Sequence, residues 1–148
     1  MQTVPEIPSP RRRLVADHRA LDALFETLLD DIHGGDSRVC QASWGRFERA
    51  LLNHIDAEEV FLLPSFDRVD PVETAALRQE HATLRHLLAD MGVRLELHAV
   101  KEENVKRLVV AIRTHAAREE GLLYKWVDQL DPEVAGSLMK KLSTPHRR

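Results

Sequence analysis

The chain has 148 residues, 43% hydrophobic and 30% charged, which is the make-up of a single globular domain and excludes a disordered or fibrous chain. A formal net charge of -3 removes the electrostatic case for nucleic acid or an anionic membrane as partner, and the lone cysteine, Cys40, excludes an internal disulfide and a thiolate-rich zinc site. No apolar run approaches the roughly 20 residues of a membrane span, and the opening MQTVPEIPSPRRR holds no apolar signal segment, so a cytoplasmic chain is expected.

Residues 1–10 carry Pro5, Pro8 and Pro10 and no periodicity, and are expected to be an irregular lead-in. From Arg11 onward Leu14, His18, Leu21, Phe25, Leu28 and Leu29 recur at spacings of three and four, which predicts a helix. His33-Gly34-Gly35 ends it, glycine being the residue that adopts the left-handed cap cheaply. Asp36 or Ser37 caps a second helix carrying Phe47, Leu51, Leu52, Ile55, Phe61 and Leu62, expected to end before Pro64. Asp70-Pro71-Val72-Glu73 opens a third, with cap, proline and glutamate in the favoured order, running to about His98. A fourth is expected from about Lys101 to Leu130, and Asp131-Pro132-Glu133 starts a short fifth segment to about Leu142, followed by a frayed tail. Short connections make consecutive helices antiparallel neighbours. The expected fold is therefore all-α: an up-down-up-down four-helix bundle over 11–130, with a short C-terminal helix and tail over 131–148.

Histidine is the unusual residue, eight copies against four Phe, two Trp and one Tyr. Four of them form an internal repeat. Asp17-His18 precedes His54-x-x-x-Glu58-Glu59, and Glu80-His81 precedes His115-x-x-x-Glu119-Glu120. Each half is a helical hairpin with one lone histidine on its first helix and a His-x-x-x-Glu pair on its second. Residues four apart differ by about 40° around a helix and about 6 Å along it, so His54 and Glu58 share a face, as do His115 and Glu119. Counting at about 1.5 Å per residue from the helix ends brings His18, His54, His81 and His115 to one level within about a turn. Four imidazoles and two carboxylates in one interior layer make a poor apolar core. Burying an uncompensated carboxylate costs several kcal/mol, which cations would remove. A single histidine on an apolar face is ordinarily a hydrogen-bonded core residue; the level-matched repeat favours a metal site. His33, His98, His86 and His146 take the ordinary reading of surface or helix-end residues, and Trp44 and Trp126 that of packing residues.

Imidazole and carboxylate without thiolate suit iron, manganese or zinc. The Glu-x-x-His pairs of ferritin-like dinuclear bundles and the His-Glu-x-x-His metalloprotease motif are both absent. Over about residues 11–128 the arrangement resembles the hemerythrin family, the HHE cation-binding domain: His18, His54-x-x-x-Glu58, His81 and His115-x-x-x-Glu119, in that order on four helices. The resemblance implies a non-haem centre of two Fe ions, which an oxo or hydroxo group can bridge. Glu58 and Glu119 would bridge the irons, with His18 and His54 on one and His81 and His115 on the other. Two departures stand out. Oxygen-carrying hemerythrins have a second histidine four residues after the first on the third helix, where this chain has Arg85. They also commonly carry His-x-x-x-x-Asp where this chain has His-x-x-x-Glu. The pattern is similar to a reduced-ligand subgroup, with an open position on each iron, and a histidine placed at 85 is expected to reach the iron of His81. Asp22 is a candidate further ligand or outer acceptor, Tyr124 a candidate outer donor, and Glu59 and Glu120 candidate surface or outer groups.

What the resemblance implies for function is a protein that binds, reduces or senses O2, peroxide or nitric oxide, with catalase- or peroxidase-like turnover in competition with reversible binding. The alternative is iron storage or sensing without turnover, and after it a structural bundle with a polar core. The implied partners are a small diatomic or peroxide ligand and an electron donor.

Overall fold

In a computed structural model the described residues are 9–143; residues 1–8 of the lead-in expected over 1–10, and residues 144–148 of the tail, lie outside them. The described residues form helices and no strand. The first helix, α1 (Pro10–Gly34), starts on the Ser9 side chain, which accepts from the Arg12 amide, and stops at Gly35 with φ 77°. The second, α2 (Ser37–Ala57), is capped by Asp36. The third, α3 (Pro71–Glu96), is capped by Asp70, whose side chain accepts from the Glu73 amide at 3.0 Å. The fourth, α4 (Glu102–Arg118), precedes a short terminal helix, α5 (Pro132–Leu142), capped by Asp131. Caps of this kind stabilise a helix by about 1 kcal/mol each.

The second helix does not end before Pro64. It passes through an i→i+5 turn over Glu58–Leu62, in which the Leu63 amide donates to the Glu58 carbonyl, and resumes as α-helix over Leu63–Phe66. Proline normally breaks a helix because it has no N–H to give. Here the missing donor falls where the hydrogen-bond register returns from five to four, so the break is absorbed. The fourth helix repeats the device: an i→i+5 turn over Glu119–Leu123, with the Tyr124 amide donating to the Glu119 carbonyl, then Tyr124–Trp126 and a tight turn over Val127–Gln129.

Neighbouring helices run antiparallel. The start of α1 meets the chain after α4, where the Arg11 amide donates to Asp128 Oδ1, and the end of α1 meets the start of α2, where Ser43 hydrogen-bonds Asp31. Two apolar clusters fill the interior. One holds Phe25, Leu28, Phe47, Leu51, Leu88 and Met91; the other holds Leu14, Leu62, Leu63, Phe66, Leu77 and Leu123. The short α5 closes the second cluster with Leu138 and Leu142, pinned by Arg13 Nη2 to the Leu142 carbonyl at 3.1 Å and Asn53 Nδ2 to the Lys141 carbonyl at 3.3 Å. Between the clusters lies a polar layer.

Candidate metal centre

That layer is the repeat. His54, Glu58, His81, His115 and Glu119 are buried, and the His18 side chain is 10% exposed. Each imidazole is gripped from outside through Nδ1. His18 meets Glu120 at 3.1 Å, His54 meets Asp17 at 2.6 Å, His81 meets Glu59 at 3.2 Å and His115 meets Glu80 at 2.7 Å. An ionised carboxylate can only accept, so each Nδ1 carries a hydrogen and each Nε2 is the atom turned inward, where a proton or a metal ion can take its lone pair. The pattern is two-fold: Asp17 and Glu80 each precede one histidine in sequence and hold the other histidine of their own half, whereas Glu59 and Glu120 each hold a histidine of the opposite half.

Inside, the two glutamates lie between the imidazoles. Glu58 Oε2 is 3.4 Å from His54 Nε2, and Glu58 Oε1 is 3.2 Å from His81 Nε2. Glu119 Oε1 is 3.2 Å from His18 Nε2, and Glu119 Oε2 is 3.4 Å from His81 Nε2 and 3.1 Å from His115 Nε2. Each carboxylate thus spans both histidine pairs. The Tyr124 hydroxyl stands among the same atoms, donating to Glu58 Oε2 at 2.7 Å and lying 2.9 Å from both His54 Nε2 and His18 Nε2.

The electrostatics are those of a site waiting for positive charge. Burial pulls the His81 imidazole down, but Glu119 and Glu58 outweigh it and hold it up at about 10. His54 and His115 are raised by the same contest of burial against carboxylates. Burial works to raise Glu119, but the imidazoles of His115, His18 and His81 hold it well below the usual carboxylate range. Burial, with Glu119 and Glu58 adding to it, pushes Tyr124 well above the ordinary phenol. Buried Glu58 Oε1 and His115 Nε2 lie 3.2 Å from His81 Nε2 and 3.1 Å from Glu119 Oε2 but make no well-aligned hydrogen bond, although such atoms are nearly always paired in a folded protein. Two groups of donor atoms lie close enough to hold a cation, Glu58–His81–His115–Glu119 and His18–His54–Glu119. The donor chemistry, the unpaired atoms and the shared carboxylates all fit metal ions at this layer.

Four outer residues were misplaced or overlooked by the sequence reading. Asp22 is exposed and reaches only Arg113, at 3.9 Å, so it is neither ligand nor acceptor here. Arg85 turns to Glu59 at 2.6 Å and Asp56 at 2.9 Å, so a side chain at 85 leads to the outer carboxylates and not to the donor cluster. Asp17 and Glu80 carry out the acceptor role that had been offered to Asp22. Their signal was in plain sight, an acidic residue preceding the lone histidine in both halves. His86 is exposed, as its angle around α3 requires.

A cavity of about 350 Å³ opens between α1 and α4 and ends on His18, His54, His115 and Glu119. Leu21, Leu51, Leu84 and Ile112 make its walls apolar, while Arg19, Asp22 and Arg113 stand among its remaining lining.

A helical bundle with a buried layer of imidazoles and carboxylates that could hold metal is the class of molecule this geometry defines. The chain belongs to the hemerythrin HHE cation-binding domain family, whose model matches residues 9–138. No curated protein and no solved structure matches it significantly. No helix among the described residues is long and apolar enough to cross a membrane.

Proposed function

We propose that the chain holds two iron ions bridged by Glu58 and Glu119, with His18 and His54 on one and His81 and His115 on the other, and that it binds or reduces a small ligand such as O2, peroxide or nitric oxide. The observation that carries the ligand half of this reading is the apolar-walled cavity ending on His18, His54 and His115. An apolar passage suits a small weakly polar molecule, and a site meant only to hold iron would gain nothing from it.

When bound, the iron pair supplies the redox chemistry. The protein's own part is positioning and the exclusion of water. The four outer carboxylates fix each imidazole's tautomer and direction, as the partners of metal-binding histidines generally do. The apolar clusters above and below keep bulk water from the layer. The Tyr124 hydroxyl, hydrogen-bonded to Glu58 Oε2 at 2.7 Å, sets a polar group against the carboxylate at the centre of the site.

Metal analysis and an absorption spectrum of the aerobic protein test the reading, followed by titration with hydrogen peroxide and with nitric oxide. Two irons per chain and a spectrum that responds to either ligand are the expected result. Two irons with a spectrum indifferent to every ligand would favour storage or sensing, and a chain that takes up no iron would overturn the reading.

A further inference from the structure

We infer that the phenolic oxygen of Tyr124 is a fifth protein ligand to the iron held by His18 and His54, so that the two iron positions differ in kind; this rests on the two-iron reading above. On an α-helix a residue five positions on from Glu119 would point about 140° away. The i→i+5 turn over Glu119–Leu123 removes that rotation and returns Tyr124 to the glutamate's own face. The side chain is fully buried, and its hydroxyl lies 2.7 Å from Glu58 Oε2, 2.9 Å from His18 Nε2, 2.9 Å from His54 Nε2 and 3.2 Å from Glu119 Oε1.

A hydroxyl has one hydrogen to give. With each Nδ1–H donated outward, all four of these neighbours present electron pairs to one O–H. The other three contacts set lone pair against lone pair unless a proton or a metal ion stands among them. The distances fit a cation in that place. Ligands about 2.1 Å from an octahedral metal lie about 3.0 Å apart when adjacent and about 4.2 Å apart when opposite. The four contacts of the phenol oxygen are adjacent-ligand distances. So are His18 Nε2 to Glu119 Oε1 at 3.2 Å and His54 Nε2 to Glu58 Oε2 at 3.4 Å, while His54 Nε2 to Glu119 Oε1, at 4.0 Å, is an opposite-ligand distance. The phenol proton passes to solvent as the oxygen–metal bond forms, along with any on the inner imidazole nitrogens that the entering cation displaces.

The other half of the repeat has the same turn and lacks the ligand. Leu63 stands five residues after Glu58, fully buried in the apolar cluster. The iron of His81 and His115 therefore has four protein donors and that of His18 and His54 has five.

Tyr124 is the only tyrosine of the chain, so a tyrosinate signal needs no further assignment. The native protein loaded with ferric iron is examined by visible absorption and by resonance Raman excited within the visible band. The expected result is a phenolate-to-iron charge-transfer band with enhanced tyrosinate ring modes, both lost in Tyr124→Phe while iron remains bound. Two ferric ions per chain without tyrosinate modes would overturn this inference and leave the two-iron reading standing. A visible band that survives in Tyr124→Phe would overturn it equally. A chain that binds no iron would overturn both.

Discussion

The two halves of the repeat place the same donors but support them differently. On the His81 and His115 side the outer carboxylates are themselves held. Arg85 grips Glu59 at 2.6 Å, and Arg118 reaches Glu80 at 2.8 Å while clamping Glu73 through two nitrogens at 2.7 and 2.8 Å. On the His18 and His54 side, among the described residues, no arginine pairs with Glu120 or Asp17, and the Glu120 side chain is 42% exposed against 20% for Glu59. The cavity also touches both His18 and His54, whereas on the other side it touches His115 alone and His81 is wholly enclosed. One side is thus fixed before a metal arrives, and the other is softer and reachable. Rigid pre-orientation lowers the entropy cost of binding, so the first metal should settle on the His81 and His115 side and small molecules should meet the metal on the other.

Deleting a ligand from each side breaks the comparison most sharply. His115→Ala should bring bound iron below one per chain, because the firmly held position goes first; His54→Ala should leave about one. Stripping the native protein with a chelator should cost at least about 3 kcal/mol at a hundredfold excess of metal over Kd, or a fall in Tm of about 6–12 °C. Equal stoichiometry in the two variants would remove the ordering, and unchanged Tm would deny that the metal supports the fold.

Acidity gives the next largest effect. His81 titrates at about 10 in the metal-free fold against an ordinary 6.5. Its proton therefore stabilises that form fully below pH 6.5, and this contribution is lost as pH rises through about 10. Metal competes for the same nitrogen, so affinity should climb over the same interval and collapse in acid. Thermal melts of the chelated and loaded protein at pH 6, 8 and 10 should show the gap between them widening upward; a constant gap would be the contrary result.

Outer partners come third. Glu80→Gln should weaken the first metal by about 10–100-fold, the usual cost of losing such a partner. Arg118→Ala, one bond further out, should cost less, and Asp17→Asn should weaken only the second metal. Competitive titration with a chelating dye separates the three. Least of all, Asp22→Ala and His86→Ala should change stability by no more than about 0.5 kcal/mol and leave both affinities alone, as exposed residues outside the network do.

The inward-facing layer was legible because helical spacing and level are arithmetic on residue numbers: His18, His54, Glu58, His81, His115 and Glu119 each fall at the height that counting assigns. The course of the chain just beyond each glutamate was not. Pro64 reads as a stop signal, and only the wider turn after Glu58 makes it harmless. The same turn after Glu119 cannot be seen in Glu-Glu-Gly-Leu-Leu-Tyr: height alone makes Tyr124 a candidate outer donor, and only the wider turn sets its hydroxyl among the inner donor atoms. Asp22 attracted notice through its spacing of four from His18, yet the ring it would have served is held by Glu120, from a helix that lies next to α1 only after folding.

Each of these wider turns is a joint between two phases of one helix. Upstream of it the rotation of the chain is fixed by the histidine and glutamate that must face inward. Downstream it is fixed by the residues that close the end of the bundle, among them Leu63 and Phe66 after one joint and Val127 and Leu130 after the other. A single residue absorbs the mismatch. Without the exposed Gly121 the fourth helix would run on as regular α-helix with Tyr124 four positions after Glu119, about 40° around from it and so still on its face. His115 and Glu119 would keep their places, and so would Tyr124 and the residues that close the end, because the wider turn takes up one extra residue without changing the phase beyond it. The part of the chain that meets metal and the part that shuts the bundle can therefore vary separately, coupled only through the length of one turn.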